Sequence, residues 1–345
     1  MCFGYTPTGN HTGPPLANPR RAPSGGRCVR LATLASLRGP RRGRANRDKQ
    51  ALLQNKLYTP DFVAGVCLYE RAMTQHGFPK FSFMSANFLG REKNYQNVIG
   101  FGEGDTSVAE VFAPAATYVE RIDELFSEVA AMGYRGIDLW TAHCNPEWAK
   151  SQHVDGLLKA SAKHGVEIVS LAGGLGDGLE QIEETCRMAQ DIRCPLLGLG
   201  CRALPQRGAE VEALLAKYGV KLAFENHPNE PTPEAVLEKI GYGRFPHIGS
   251  TFDTGWWGTH GYPVLEALDA LREHLLLVHL KNVREPVTHI AARWDEGCLD
   301  LASIVRRLKH IGYSGWISLE YEPEDHDPTE DCHEFLKVAT AWWKN

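Results

Sequence analysis

Four ionisable side chains stand where apolar runs end in the second half of the chain. AFENHP carries Glu225, STFDTGWW carries Asp253, LLLVHLKNVR carries His279 and GWISLEYEPE carries Glu320. One such residue is ordinarily a buried group paired with a neighbour. Four in consecutive strand units, all opening on one side, put three carboxylates into a single mouth. Like charges so placed repel and shift one another's protonation unless a cation neutralises them. Two Glu, one Asp and one His make an oxygen-rich set for one divalent metal ion. It suits Mn²⁺ first, with Mg²⁺ or Co²⁺ as alternatives, better than a closed structural zinc.

Other residues are expected around that mouth. His143, in WTAHCNP, is placed on an overhanging loop where an imidazole exchanges protons near pH 7 and serves catalysis. Lys281 and Arg284 follow His279 and suit a developing oxyanion or a substrate hydroxyl. His227, two residues beyond Glu225, points to the same side of an extended segment. Trp140, Trp256 and Trp257 offer flat apolar faces to a substrate ring, and Glu322 reads as a supporting or solvent-facing group.

The chemistry open to such a set is specific. A divalent ion holding a carbonyl and its neighbouring hydroxyl polarises the C=O and makes the adjacent C–H more acidic. A glutamate beside it removes that proton and leaves a metal-stabilised cis-enediolate. Reprotonation on the other face is epimerisation, and at the neighbouring carbon it is isomerisation. Loss of a group β to the carbonyl is a lyase reaction. The four ligands do not choose among these outcomes; the substrate pocket does.

The elements that position these residues alternate regularly from Lys80 onward. Strands are expected at Phe81–Ala86, Gly136–Trp140, Glu167–Leu171, Pro195–Leu199, Lys221–Phe224, His247–Phe252, Leu275–Leu280 and Trp316–Leu319. Helices are expected at about 115–132, 147–164, 178–191, 207–218, 232–240, 262–273, 299–311 and 329–343. Eight strand–helix units over 80–345 have the size and alternation of a (β/α)8 TIM barrel, an α/β fold whose chemistry sits at the carboxyl ends of the strands. A doubly wound open sheet is the alternative. It is weakened because no GxGxxG opens a helix after the first strand, and GFGEG at 100–104 reads as a loop.

The chain has 345 residues and a net charge of −5, which hides a split. Residues 1–80 hold 13 Lys+Arg against 3 Asp+Glu, and the remainder hold 24 against 39. An acidic main body argues against a nucleic-acid partner. Residues 1–45 are Gly/Pro/Arg-rich without apolar periodicity and are expected to be a disordered extension, followed at 46–79 by a linker with short helices. Such a start also looks like an organellar transit peptide. No apolar run is long enough to span a membrane. Nine scattered Cys without a CxxC pair read as reduced thiols of a cytoplasmic protein.

On AFENH, FDTGWW, VHLKNVR and SLEYEPE, the chain resembles the xylose-isomerase-like barrel superfamily over about 80–345. That superfamily includes sugar epimerases, hydroxypyruvate isomerase, inosose dehydratase and the endonuclease IV branch. The resemblance implies one divalent metal on Glu225, Asp253, His279 and Glu320, with the two glutamates doubling as proton carriers. Many ketose 3-epimerases have a His three residues after the strand-six Asp, whereas Trp256 stands here. FMSANFLGRE, DLWTAHCNPEWA and SLAGG are similar to the branch that acts on 3-keto sugars, namely 3-keto-glycoside epimerases and the metal subunit of C-glycoside deglycosidases.

The leading reading is therefore a metal-dependent isomerase or epimerase of a sugar or keto-sugar substrate. It would work alone, as a homo-oligomer or with a small accessory subunit. The alternative is a lyase on the same scaffold, inosose dehydratase-like or C-glycoside deglycosidase-like. An endonuclease IV-like repair enzyme ranks lower, since that branch uses a histidine-rich trinuclear zinc site and a basic groove. A solute-binding role leaves carboxylates poised for proton transfer without a purpose.

Overall fold

Eight strands pair in parallel and close on themselves. In the computed structural model, which describes residues 79–96 and 100–345, they are β1 (Lys80–Met84), β2 (Gly136–Trp140), β3 (Glu167–Gly174), β4 (Leu196–Gly200), β5 (Lys221–Glu225), β6 (Ile248–Asp253), β7 (Leu275–Val283) and β9 (Trp316–Glu320). Each of β1 to β7 pairs with the next, β7 pairs with β9, and β9 returns to β1. Closure excludes the open doubly wound sheet. A two-residue strand, β8 (Ala291–Ala292), runs antiparallel to the end of β7.

Among the described residues ten α-helices accompany the strands: α1 (Phe101–Phe112), α2 (Ala115–Ala131), α3 (Ser151–His164), α4 (Leu179–Asp191), α5 (Leu204–Tyr218), α6 (Pro233–Ile240), α7 (Thr254–Thr259), α8 (Val264–Leu271), α9 (Leu301–His310) and α10 (Thr329–Lys344). Their sequences explain them. α9 buries Leu301, Ile304, Val305 and Leu308, one stripe at helical spacing, and gathers Arg307, Lys309 and His310 in its last turn, where cations suit the dipole. Its start is capped by Asp300, whose Oδ1 accepts the Ser303 N–H at 3.0 Å. α3 and α5 exit through Gly165 (φ 64°) and Gly219 (φ 67°), left-handed positions that any side chain would strain.

Two helices depart from the expectation. GFGEG is not a loop, because its Phe101 opens α1 and Val108 and Phe112 bury the face of that helix. TGWWGT forms α7, whose first turn is held by the Asp253 side chain accepting the Trp256 N–H at 2.8 Å. The extension expected at 1–45 and the linker at 46–79, Pro79 apart, lie outside the described residues. Among the described residues no helix is long and apolar enough to cross a membrane. Cys144, Cys186, Cys194, Cys201 and Cys332 are buried free thiols, and burial pushes each pKa upward.

Register fixes the site. Asp253 lies opposite His279 across β6 and β7, and Lys281 lies opposite Glu320 across β7 and β9. Side chains two apart in a strand share a face, so His279 and Lys281 both face the barrel axis beside Glu320.

Candidate metal centre

Glu225, Asp253 and Glu320 are the last residues of β5, β6 and β9, and His279 stands in β7 beside them. One donor atom from each lies within 4.8 Å of the others. Asp253, His279 and Glu320 are buried, while the Glu225 side chain keeps 13% exposure. The imidazole of His279 is central. Its Nδ1 is 2.6 Å from Glu225 Oε1 and 3.1 Å from Glu320 Oε2, and its Nε2 is 2.9 Å from Asp138 Oδ2. Nε2 is thus committed to Asp138, and Nδ1 is the nitrogen turned to the other donors. Asp138, fully buried within β2, is a residue the sequence analysis missed.

The backbone around two ligands is clamped by asparagines. Asn226 Oδ1 accepts the Asp253 N–H at 2.9 Å, and its Nδ2 donates to the Asp253 carbonyl at 3.1 Å. Asn87, in the short helical turn after β1, does the same on both sides of Glu320. It accepts the Tyr321 N–H at 2.8 Å and donates to the Leu319 carbonyl at 3.1 Å. Each two-point bond satisfies buried peptide groups and leaves the ligand side chain little freedom.

Charge is closely balanced. Burial alone would raise the Glu225 pKa, but the His279 and His227 charges and the His279 hydrogen bond outweigh it and hold it low. Glu320 is likewise opposed by burial and held low by Lys281 and His279. Asp253 goes the other way: burial, then the Glu320 and Glu225 charges, push it well above the ordinary carboxylate range. His279 is raised well above its ordinary value because Glu225, Glu320 and Asp138 overcome its burial. Glu320 Oε2 is buried without a hydrogen bond of its own. Three crowded carboxylates, an Nδ1 aimed among them and an orphan oxygen fit one divalent cation, which would relieve the repulsion that adds to burial in raising the Asp253 pKa.

Residues 126–339 match the family model described as a xylose isomerase-like TIM barrel. The chain belongs to that family. It is 32% identical over 120 residues to an uncharacterized protein of Methanocaldococcus jannaschii, covering 32% of this chain and 40% of that protein. Inosose dehydratase of Geobacillus kaustophilus is 22% identical over 256 residues, 59% of this chain and 80% of that protein. Among solved structures, 3-keto-D-glucoside 4-epimerase of E. coli superposes with a TM-score of 0.55 at 15% identity, covering 76% of this chain and 99% of the other. A xylose isomerase-like protein of Mycobacterium smegmatis in complex with magnesium gives 0.57 at 15% identity, covering 78% and 97%.

Around the candidate centre of this xylose isomerase-like TIM barrel, the other expected residues divide. His227 stands beside it, with Nε2 3.4 Å from Glu225 Oε2. Lys281 is buried and donates to Glu320 Oε1 at 2.8 Å and to Glu322 Oε2 at 2.5 Å. Glu322 is therefore no solvent-facing group: it is an internal partner of Lys281, and burial pushes its pKa up to about 7 despite that cation. The alternation that places Glu320 inward also places Glu322 inward, a signal present in the sequence.

Three expectations are corrected. His143 does not overhang the mouth. It is buried between Phe112 and Trp140, with Nδ1 3.2 Å from Ser85 Oγ, and borders a separate cavity with Phe88, Arg91 and Asp327. Burial, then the Arg91 charge, lower its pKa to about 3, so it stays neutral near pH 7. Trp140 is only 1% exposed and lies against Phe101, and Trp257 is fully buried against Phe252 and Tyr262, so neither offers a face to a sugar. Arg284 lies past the end of β7 with an exposed side chain and no ion pair to the centre among the described residues. Trp256 stays half-buried at the mouth, stacked on His289.

Proposed function

We propose that the protein is a divalent-metal-dependent isomerase or epimerase of a sugar or 3-keto-sugar, with Glu225 and Glu320 as its proton carriers. One observation carries this reading: both carboxylates approach the same Nδ1 of His279, at 2.6 and 3.1 Å, and so flank a single ion position. A bound ion, Mn²⁺ by preference, would polarise a carbonyl of the substrate. Glu225 is ionised at neutral pH and is the more open of the two, so it takes the proton from the carbon beside that carbonyl. Glu320 faces the same atoms from β9 and would deliver to the opposite face a proton it takes up from solvent, while Glu225 releases its own to solvent. Lys281, buried between Glu320 and Glu322, would hold the Glu320 carboxylate in place beside the ion and offset its charge.

The names of the relatives support a sugar-like substrate, since they include a dehydratase of inosose and an epimerase of a 3-keto-glucoside. A lyase needs a separate acid at its leaving group, and His143 was the loop residue expected to exchange protons near the mouth. His143 is buried and borders another cavity, so it does not fill that role, which supports proton transfer alone as the first reading to test. The test is incubation of the Mn²⁺-loaded protein with free, 3-keto and C-linked sugars in D₂O. Deuterium at one carbon without loss of water or aglycone supports the proposal. Loss of either moves the assignment to a lyase, and no exchange with any sugar overturns it.

A further inference from the structure

The seven residues 284–290, between β7 and β8, fold back over α7 and are pinned there. The Val287 N–H donates to the Thr259 carbonyl at 2.8 Å, and the Arg284 N–H donates to the Ile290 carbonyl at 2.9 Å. Val287 (φ 79°) and His289 (φ 39°) both occupy the left-handed region, which is unfavourable for a β-branched residue in particular. Val287 is 86% exposed, so its own packing does not offset that strain. The strained turn delivers the ring of His289. It stacks flat on Trp256, with centroids 3.4 Å apart and planes 7° apart.

The hydrogen bonds of that ring determine its tautomer. Thr259 Oγ1 is 2.9 Å from the Gly255 carbonyl, which can only accept, so the single hydroxyl proton of Thr259 is committed to it. His289 Nδ1 is 2.8 Å from the same Oγ1 and must be the donor. Nε2 is left with a bare lone pair, and among the described residues it has no hydrogen-bond partner. The ring lies within reach of the centre's charges, since Lys281 and Glu320 both act on it. Trp256, beneath it, leads back through the ring of His227, 5.8 Å away, to Glu225. Burial, then the Lys281 charge, keep the imidazole neutral, with its pKa down at about 3.

Resting on the sugar-isomerase reading above, we propose that His289 is a substrate-contacting residue whose Nε2 accepts a hydrogen bond from a hydroxyl remote from the reacting carbons. A donor hydroxyl is the chemistry it recognises, so a deoxy analogue at that carbon is discriminated against. Thr259 fixes the tautomer, and Trp256 fixes the plane of the ring.

The test joins a spectrum to kinetics. In the ¹⁵N-histidine-labelled, Mg²⁺-loaded protein at pH 7, the resonances absent from His289→Phe should show a protonated Nδ1 and an unprotonated Nε2. A protonated Nε2 or a cationic ring overturns the proposal. With the sugar that exchanges best in D₂O, His289→Phe, which keeps the stack, should raise KM about tenfold with kcat and Mg²⁺ affinity held. His289→Gln, which restores an acceptor, should recover part of the loss. If the unsubstituted protein turns over a sugar and His289→Phe leaves KM unchanged, this inference alone fails. If the unsubstituted protein exchanges no sugar, the functional reading fails and takes this inference with it.

Discussion

Asp138 Oδ2 and His279 Nε2 lie 2.9 Å apart, both residues almost wholly buried in the barrel. The contact joins the second strand to the seventh across the interior and presents Nδ1 of the imidazole to Glu225 and Glu320. Removing Asp138 frees the ring to rotate and weakens its basicity. Asp138→Ala should therefore lower Mn²⁺ affinity by about 10–100-fold, as measured by competition with a chelator, while the isosteric Asp138→Asn costs less. Unchanged affinity in the alanine variant would show that His279 needs no such support.

Glu225 and Asp253 should separate in their roles. Asp253 is buried, capped onto α7 and clamped by Asn226, as a pure ligand would be. Glu225 is more open and is charged at neutral pH. Glu225→Gln should abolish turnover while reducing metal affinity less than Asp253→Asn. Equal loss of metal in both would make Glu225 only a ligand.

Metal binding should release protons. Asp253 and His279 both have pKa values raised well above normal in the buried cluster, so protons compete with the cation for their donor atoms. Mn²⁺ affinity should rise with pH through neutrality. Calorimetry in buffers of different ionisation heat measures the release directly, and heats independent of the buffer would contradict it.

Much of this was legible in the chain. Each barrel strand shows as a short apolar run, and each of the four ligands breaks such a run at its end, where barrel chemistry collects. Asp138 escaped because it interrupts GIDLW in mid-strand, where only the register with its neighbours reveals which way it faces. α7 escaped because TGWWGT has no apolar period; its first turn forms around the Asp253 cap. His143 was misplaced because loop length and residue type do not say whether a loop turns over the mouth or into the wall. His289 lies outside any motif, and its position depends on a strained turn that a sequence pattern does not encode.

The burial of His143 has a consequence for acid stability. Its folded pKa is about 3, below the unfolded value of about 6.5. Between those limits the unfolded chain binds a proton that the folded one does not. Its contribution is therefore intact above about pH 6.5 and is lost as pH falls toward 3. The slope is about 1.4 kcal/mol per pH unit at most. Urea unfolding at several pH values from 7 to 4 should show a shallower decline for His143→Gln. Parallel curves would mean that the imidazole titrates freely in the fold.

Gly255 should prove as necessary as the ligands, for a steric reason. It sits in the first turn of α7, directly after Asp253 and Thr254, where the Lys281 stem runs past. A Cβ there would lie 2.9 Å from Lys281 Cδ, 3.0 Å from Cγ and 3.1 Å from Asp253 Oδ1. A flexible lysine would ordinarily move aside. This one is buried, with its ammonium held between Glu320 and Glu322 and its backbone N–H donating to Thr254 Oγ1 at 2.8 Å, so it has little room to yield. Gly255→Ala should cost about 1–3 kcal/mol of stability, as overpacking does. It should also lower kcat by displacing the Lys281 ammonium from Glu320. A second change, Lys281→Ala, removes the obstructing stem. Stability in the double variant should then exceed the sum expected from the single losses, while activity should not return. Strict additivity of the two stability losses would show that the added methyl group and the Lys281 stem do not meet.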